Sequence, residues 1–341
     1  MKNIDFPQHE DSLIRHIWLS NVLTPVLSVS LELNLFELLA LKPLSLDELS
    51  TQLGLSSDSA EALTATLGGA GLIQSNNSGF SLTPVSNSYL LRDSPFYWGH
   101  MINWFKEAQL SHDSLMEILR QRKPTAMGDG ILLTTGWEEN SMSNERARTI
   151  TSAMHSHSFP IALGLAQQLT LPENCHVLDL GGGSACLSIA LATKNKSATF
   201  TVADLPTVCE VAQDYISQFN MQERIGTHAL DMFNQQWPVG YDVIFAANVL
   251  HDWDKEQCQF LLQNARQSLK KGGEILIYEM LIDEDQAGPL IAGMFSITML
   301  HITKGKQFRA SELETLLKEA GFSEPHTQPI YSGYSLTRAR A

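Results

Sequence analysis

Residues 175–187 read CHVLDLGGGSACL, an apolar run that breaks into three consecutive glycines and then resumes in small, helix-compatible residues. Val177, Leu178 and Leu180 give the near-continuous hydrophobic pattern of a parallel strand covered on both faces. Gly181, Gly182 and Gly183 allow a sharp turn and a close approach of backbone to a ligand. The helix expected from about Ser184 aims its unpaired N–H groups into the same space.

Strand, glycine loop and helix are common to dinucleotide enzymes and to many phosphate binders, so the neighbouring residues decide between them. The dinucleotide fingerprint, counted from Gly181, requires Gly or Ala where this chain has Cys186. The other pattern, an acid two residues before G-x-G-x-G, is met by Asp179, Gly181 and Gly183, with Ala185 in the last place. Ala there is costly if the position needs a positive φ. TFTVADLP (199–206) is a second strand ending in Asp204, 21 residues after Gly183, a spacing at which a carboxylate accepts hydrogen bonds from ribose hydroxyls. YDVIFAANVLHDW (241–253) and EILIYEML (274–281) are further strands, and DKEQCQFLLQNARQSLKKGG between them is an amphipathic helix with Lys270 and Lys271 at its end. The chain closes with the helix ASELETLLKEAGF and a hairpin from His326 to Arg340. Strands alternating with helices give a doubly wound α/β sheet whose ligands lie at the carboxyl ends of the strands, where His251 and Glu279 fall.

Taken in order, DLGGGSA, VADLP, ALDMF (229–233) and LHDW (250–253) resemble the S-adenosylmethionine-dependent O-methyltransferases of the caffeic acid and acetylserotonin type. The resemblance runs from about residue 10 to the C-terminus. It implies a Rossmann-like catalytic domain over 171–341, helical linker and pocket helices over 101–170, and a mostly helical winged-helix dimerisation domain over 1–100. It further implies that S-adenosylmethionine is held by Asp179, Gly181, Gly183, Asp204, Leu205, Asp231, Met232, Phe233 and Asn248. Asp231 would meet the exocyclic amine of the adenine and Met232 its face. His251 is the implied general base, oriented by Glu279. Trp104, Met154, His155, Asp252, Met294 and Gln307 are the implied acceptor contacts. Two positions depart from the family pattern: Gln307 stands where the plant enzymes carry a second acid, and Ala247 where they carry a lysine beside the adenine.

Composition narrows the partners. The 341 residues suffice for about two domains. With 23 Lys plus Arg against 37 Asp plus Glu, the net charge of -14 repels nucleic acid. Neither a signal peptide nor a membrane span is expected, since MKNIDFPQHEDSL lacks a basic start and Glu32 and Glu37 interrupt the long apolar region. The four cysteines form no C-x-x-C pair and read as reduced core residues of a cytoplasmic protein.

Apolar residues recur at helical spacing from Ser12 to Leu39, and two short helices follow, one from Ser45 or Asp47 to Gly54 and one capped near Ser57. The turn SNNSG and the strand FSLTPVS complete a winged-helix outline. Its recognition-helix stretch, 58–70, carries Asp58 and Glu61 and no base, so protein contacts are expected and DNA reading is not. His155 and His157, two apart on a helix, diverge too far to share a metal.

A hydroxyl acceptor must lose its proton during methyl transfer. Moving a proton from a phenol of pKa ~10 to a histidine costs roughly 5 kcal/mol. From an alkyl alcohol of pKa ~16 it costs roughly 13 kcal/mol, so a small aromatic hydroxyl is the expected acceptor. Transfer to nitrogen or carbon on the same fold, other S-adenosylmethionine-dependent chemistry on it, and a ligand-sensing winged-helix regulator are the competing readings.

Overall fold

A computed structural model describes residues 8–106, 110–124 and 133–341 of the chain. It divides into two compact units, Met1–Lys106 and Glu107–Ala341. The first unit begins with α1 (Ser12–Leu19), a 3₁₀ turn, α2 (Leu23–Glu32) and α3 (Leu35–Leu41). Asn34, in the left-handed region at φ 58°, separates α2 from α3 within the stretch of helical spacing. α4 (Leu46–Leu53) starts with a reciprocal cap, Ser45 Oγ accepting from Glu48 N at 3.2 Å and Ser45 N donating to Glu48 Oε2 at 2.8 Å. It stops at Gly54, at φ 67°. α5 (Ser57–Gly69), capped by Ser56, leads into the hairpin β1 (Ile73–Asn76) and β2 (Gly79–Leu82). Thr83 then caps α6 (Pro84–Tyr89), which makes the second strand shorter than FSLTPVS indicated. α7 (Gly99–Phe105) ends the unit's regular structure.

Leu31, Leu35, Phe36, Leu39, Leu49 and Leu67 form the core of this unit. α1 contributes nothing to it. Leu13, Ile14, Ile17 and Trp18 lie along one face of α1 with 67%, 67%, 63% and 68% of their surfaces exposed.

The second unit opens with α8 (His112–Gln121), α9 (Leu133–Glu138) and the 25-residue α10 (Asn144–Gln168). There follow β3 (His176–Leu180), α11 (Cys186–Lys194), β4 (Thr199–Asp204), α12 (Pro206–Gln218), β5 (Ile225–Ala229) and β6 (Tyr241–Ala247). After a 3₁₀ turn at Leu250–Asp252 come α13 (Lys255–Ser268), β7 (Leu269–Met280), α14 (Leu290–Ile302), α15 (Ala310–Glu319), β8 (Ser323–Tyr331) and β9 (Tyr334–Arg340). The described residues form a seven-stranded sheet in the order β5-β4-β3-β6-β7-β9-β8. β3, β4, β5, β6 and β7 run parallel, and β9 joins β7 antiparallel. Lys270 and Lys271, expected at a helix end, lie instead in β7, which extends back to Leu269 and pairs it with Tyr241.

The strand order reverses direction at β3, with β4 on one side and β6 on the other. That is the switch point where open α/β sheets hold their ligands. Val177, Leu178, Ile244 and Phe245 are at most 1% exposed, so both inner strands are covered on both faces. Among the described residues, no single helix is long and apolar enough to cross a membrane.

Candidate active site

The loop after β3 is shaped by its glycines. Gly181 and Gly183 adopt φ 60° and 54°, and a Cβ on Gly182 would lie 2.8 Å from Asp179 Cγ and 2.9 Å from Val202 Cγ1. A Cβ on Gly183 would meet nothing within 4 Å, so the loop's other side faces open space. Ala185 takes φ 61° immediately before α11 begins, the strained conformation that its alignment with a glycine raised as a concern.

Two carboxylates support this loop from below and beside it. Asp179, 2% exposed, accepts from Ser188 Oγ at 2.6 Å, and Asp204 at the end of β4 accepts from Gly183 N at 2.9 Å and Leu205 N at 2.8 Å. Burial pushes each up to about 6, against the pull of these hydrogen bonds. Leu205 is buried where α12 begins. Asp231 folds over its own turn, accepting from Phe233 N, Asn234 N and Asn234 Nδ2 at 3.0, 3.1 and 3.0 Å, which leaves its carboxylate one further acceptor position. Met232 and Phe233 are partly buried, and the Phe233 ring meets Trp253 edge-on at 4.6 Å.

At the end of β6 the chain passes through Asn248, at φ 52°, into the 3₁₀ turn that carries His251. Glu279 on β7, fully buried, grips this turn twice. Its Oε1 accepts from Val249 N and Leu250 N at 3.2 Å each, and its Oε2 lies 2.8 Å from His251 Nδ1. The register of the parallel pair, Ala247 opposite Tyr278, brings Glu279 level with the start of this turn. Gln307 also reaches Nδ1, at 3.0 Å, from a loop pinned by Gln307 N donating to Ser296 Oγ at 3.3 Å and Lys304 N donating to Asp252 O at 3.1 Å. Gly305 in that loop lies so close beneath the turn that a Cβ would come within 2.0 Å of His251 O.

Because a carboxylate only accepts, a neutral His251 bonded to Glu279 carries its proton on Nδ1 and leaves Nε2 as the basic nitrogen. As placed, the Gln307 NH2 faces Nδ1; turned by half a rotation, the amide oxygen, unpartnered like Glu279 Oε2 among the described residues, accepts from the same Nδ1–H. Burial pulls the His251 imidazole down, but Glu279 and Asp252, with Gln307, raise it further, to about 9. Asp252, whose Oδ1 is 3.7 Å from His251 Nε2, is pushed up to about 7 by burial, against the attraction of His251. Phe295 of α14 closes one side of the imidazole, edge-on at 5.4 Å.

The remaining expected residues scatter. Met154 is half-buried on α10, and Met294 on α14 is 54% exposed. Trp104 belongs to the first unit, in α7, with its ring edge-on to Phe105 at 4.9 Å. His155, expected at the acceptor, instead stacks on Tyr215 with ring centroids 4.2 Å apart and directs Nδ1 to Ser184 Oγ at 2.8 Å on the glycine loop. The side chain from α10 that does approach His251 is His157. Its Nε2 lies 3.2 Å from Tyr334 OH and its ring 5.6 Å from Phe295. Burial and the charge of His251 lower it to about 4. Phe295, Tyr334, Ser184 and His157 were not singled out for the site from sequence. HSHS on a helix was the one available signal, and it did not say which imidazole turned which way.

Residues 113–323 match the family of O-methyltransferase domains, and residues 15–92 match the O-methyltransferase dimerisation domain. The chain is 29% identical over 308 residues to 3-hydroxy-5-methyl-1-naphthoate 3-O-methyltransferase of Streptomyces sahachiroi, covering 89% of this chain and 87% of that one. It is 28% identical over 331 residues to acetylserotonin O-methyltransferase of Gallus gallus, covering 95% and 94%. In fold it superimposes on human N-acetylserotonin methyltransferase, solved in complex with SAM, with a TM-score of 0.83 at 24% identity, covering 98% of this chain and 99% of that one.

Proposed function

Since the chain belongs to the O-methyltransferase family, we propose that it transfers a methyl group from S-adenosylmethionine to a hydroxyl of a small aromatic acceptor, with His251 as general base. The observation that carries this reading is the buried pair of Glu279 and His251, 2.8 Å apart at the strand ends beside the glycine loop.

The residues at the loop fit the cofactor. Gly183 opens onto free space, Asp204 offers a carboxylate to ribose hydroxyls, and Asn248 Oδ1 is buried without a partner among the described residues. Asp204 and Asp231 would hold the nucleoside, while Met232 and Phe233 would flank its adenine. When bound, S-adenosylmethionine supplies an electrophilic methyl on a sulfonium.

The protein's own task is to align the acceptor oxygen and remove its proton at His251 Nε2. Glu279 fixes the tautomer through Nδ1 and stabilises the imidazolium that forms, much as an aspartate does in hydrolase triads. The cost of moving a proton to His251 from a phenol of pKa ~10 falls from roughly 5 kcal/mol to about 1–2 kcal/mol when the imidazole is held at about 9. An acidic aromatic hydroxyl therefore suits this site. The naphthoate and acetylserotonin of the two relatives' names agree with a fused-ring acceptor.

We assign residues 1–100 to dimerisation, 101–170 to linker and pocket helices, and 171–341 to cofactor binding and catalysis. The bare apolar face of α1 and the dimerisation-domain match support a homodimer. We further propose that it acts in the cytoplasm without nucleic acid or membrane as partner, in keeping with its net charge of -14. Mass spectrometry after incubation with S-adenosylmethionine and a panel of hydroxylated aromatics tests the activity. A mass gain of one methyl on the hydroxyl is expected. Tighter binding of NAD than of S-adenosylmethionine, or methylation confined to nitrogen or carbon, would overturn the proposal.

A further inference from the structure

We propose that His155 is a positioning residue for the glycine loop, acting through Ser184 to hold the loop in its binding shape. The inference rests on the reading of this loop as the seat of S-adenosylmethionine.

His155 occupies a built environment. It is 7% exposed, its ring lies nearly parallel to Tyr215 at 20° and 4.2 Å, and Phe159 covers it at 4.8 Å. Stacked in this way the imidazole has little freedom, and its Nδ1 meets Ser184 Oγ at 2.8 Å. Ser184 is 3% exposed, so its hydroxyl would lose water on folding and depends on a protein partner. It also stands between two left-handed residues, Gly183 at φ 54° and Ala185 at φ 61°.

An alanine in that conformation does not hold itself there, because the left-handed region is unfavourable for any residue with a Cβ. The loop is therefore kept in shape by its attachments. Asp204 of β4 accepts from Gly183 N on one side, and Nδ1 of His155 on α10 is hydrogen-bonded to the Ser184 hydroxyl on the other. Removing the second attachment frees the loop to leave the binding shape, and the ligand must then supply the ordering that the protein had supplied beforehand. His155 touches neither proposed substrate nor cofactor in this scheme. It acts through Ser184.

The test is calorimetric affinity for S-adenosylhomocysteine, which needs no acceptor. His155→Phe keeps the stack on Tyr215 and removes the hydrogen bond, and Ser184→Ala removes it from the other end. Each is expected to bind about 5- to 10-fold more weakly than wild type, in line with the loss of one neutral hydrogen bond. The double variant should be no weaker than either single one, since both delete the same interaction. His155→Asn, whose side-chain amide falls near the place of Nδ1, should recover affinity to within about twofold. A general packing role would leave Asn no better than Phe.

Wild-type affinity in His155→Phe and in Ser184→Ala, or additive losses in the double variant, would overturn the proposal. Failure of the wild-type protein to bind S-adenosylhomocysteine would overturn the cofactor reading itself, a different result from binding that is indifferent to residue 155.

Discussion

Glu279→Gln is nearly isosteric, yet it should undo the base in two ways. A glutamine can keep its oxygen toward Val249 N and Leu250 N, now at 3.2 Å from Glu279 Oε1, and must then turn its NH2 to His251 Nδ1. Nδ1 becomes an acceptor, the proton moves to Nε2, and the nitrogen that faces the acceptor is no longer basic. The charge effect is separate. A unit charge at about 4 Å and an effective dielectric near 20 is worth roughly 4 kcal/mol, or about 3 pK units. His251 should thus fall from about 9 to roughly 6, since burial continues to oppose its charged form. In the wild-type free enzyme the base is mostly neutral only above about 9, so kcat/KM should rise about 50-fold from pH 7 to 9. In Glu279→Gln that limb should shift to lower pH, and activity at pH 9 should be lower by about 100-fold to 10,000-fold, the range seen when a triad loses its orienting acid.

Linkage supplies a second reading of the same variant. The raised pKa stabilises the fold fully below the unfolded value of 6.5 and ceases to do so as pH rises through about 9. The variant should therefore be less stable by up to about 4 kcal/mol below about pH 6, where the ring is charged in both proteins, and by little above pH 9. The ring can be titrated by NMR with labelled histidine, alongside kcat/KM against pH for any acceptor that turns over. If the His251 titration moved by less than half a unit, or the variant kept wild-type turnover at pH 9, the Glu279–His251 reasoning would be refuted.

His251→Ala should lower kcat by about 100-fold to 10,000-fold while calorimetric affinity for S-adenosylhomocysteine stays within twofold, separating base from binding. Asp204, held at about 6, accepts ribose hydroxyls best when ionised, so affinity for S-adenosylhomocysteine should weaken as pH falls through about 6. Asp204→Ala should cost about 1.5–3 kcal/mol of binding at pH 8 and flatten that pH dependence, and an unchanged affinity would count against the ribose assignment. Ile17→Glu combined with Trp18→Glu puts two charges on the bare face of α1 and should yield monomers by light scattering; a dimer of unchanged strength would place the interface elsewhere.

The sequence was most legible where backbone chemistry constrains it. Strand runs covered on both faces, the glycines of the loop, the stop of α4 at Gly54, and the acid ending β4 all follow from local rules. They led to the sheet and to the neighbourhood of Asp204, His251 and Glu279. Less legible was the direction in which a buried helix turns each side chain. His155 and His157 are two residues apart on α10, and packing against α12 on one side and Tyr334 on the other decides which meets the loop and which approaches His251. Met294 is exposed although its type and place suggested a pocket wall. Lys270 and Lys271 looked like a helix end because Gly272 follows, but pairing of Leu269 with Tyr241 had already begun the strand.

Ala185 carries a consequence for engineering. A left-handed alanine costs about 1–2 kcal/mol relative to glycine, and the greater freedom of glycine in the unfolded chain returns about 0.4–1 kcal/mol of that difference. The Ala185 methyl is fully buried, and removing it costs about 0.8 kcal/mol, so Ala185→Gly should be close to neutral for stability. Libraries that vary Met154, Phe295 or Gln307 in search of new acceptors therefore gain nothing by resetting this position to glycine, and the strained alanine can stay in their parent.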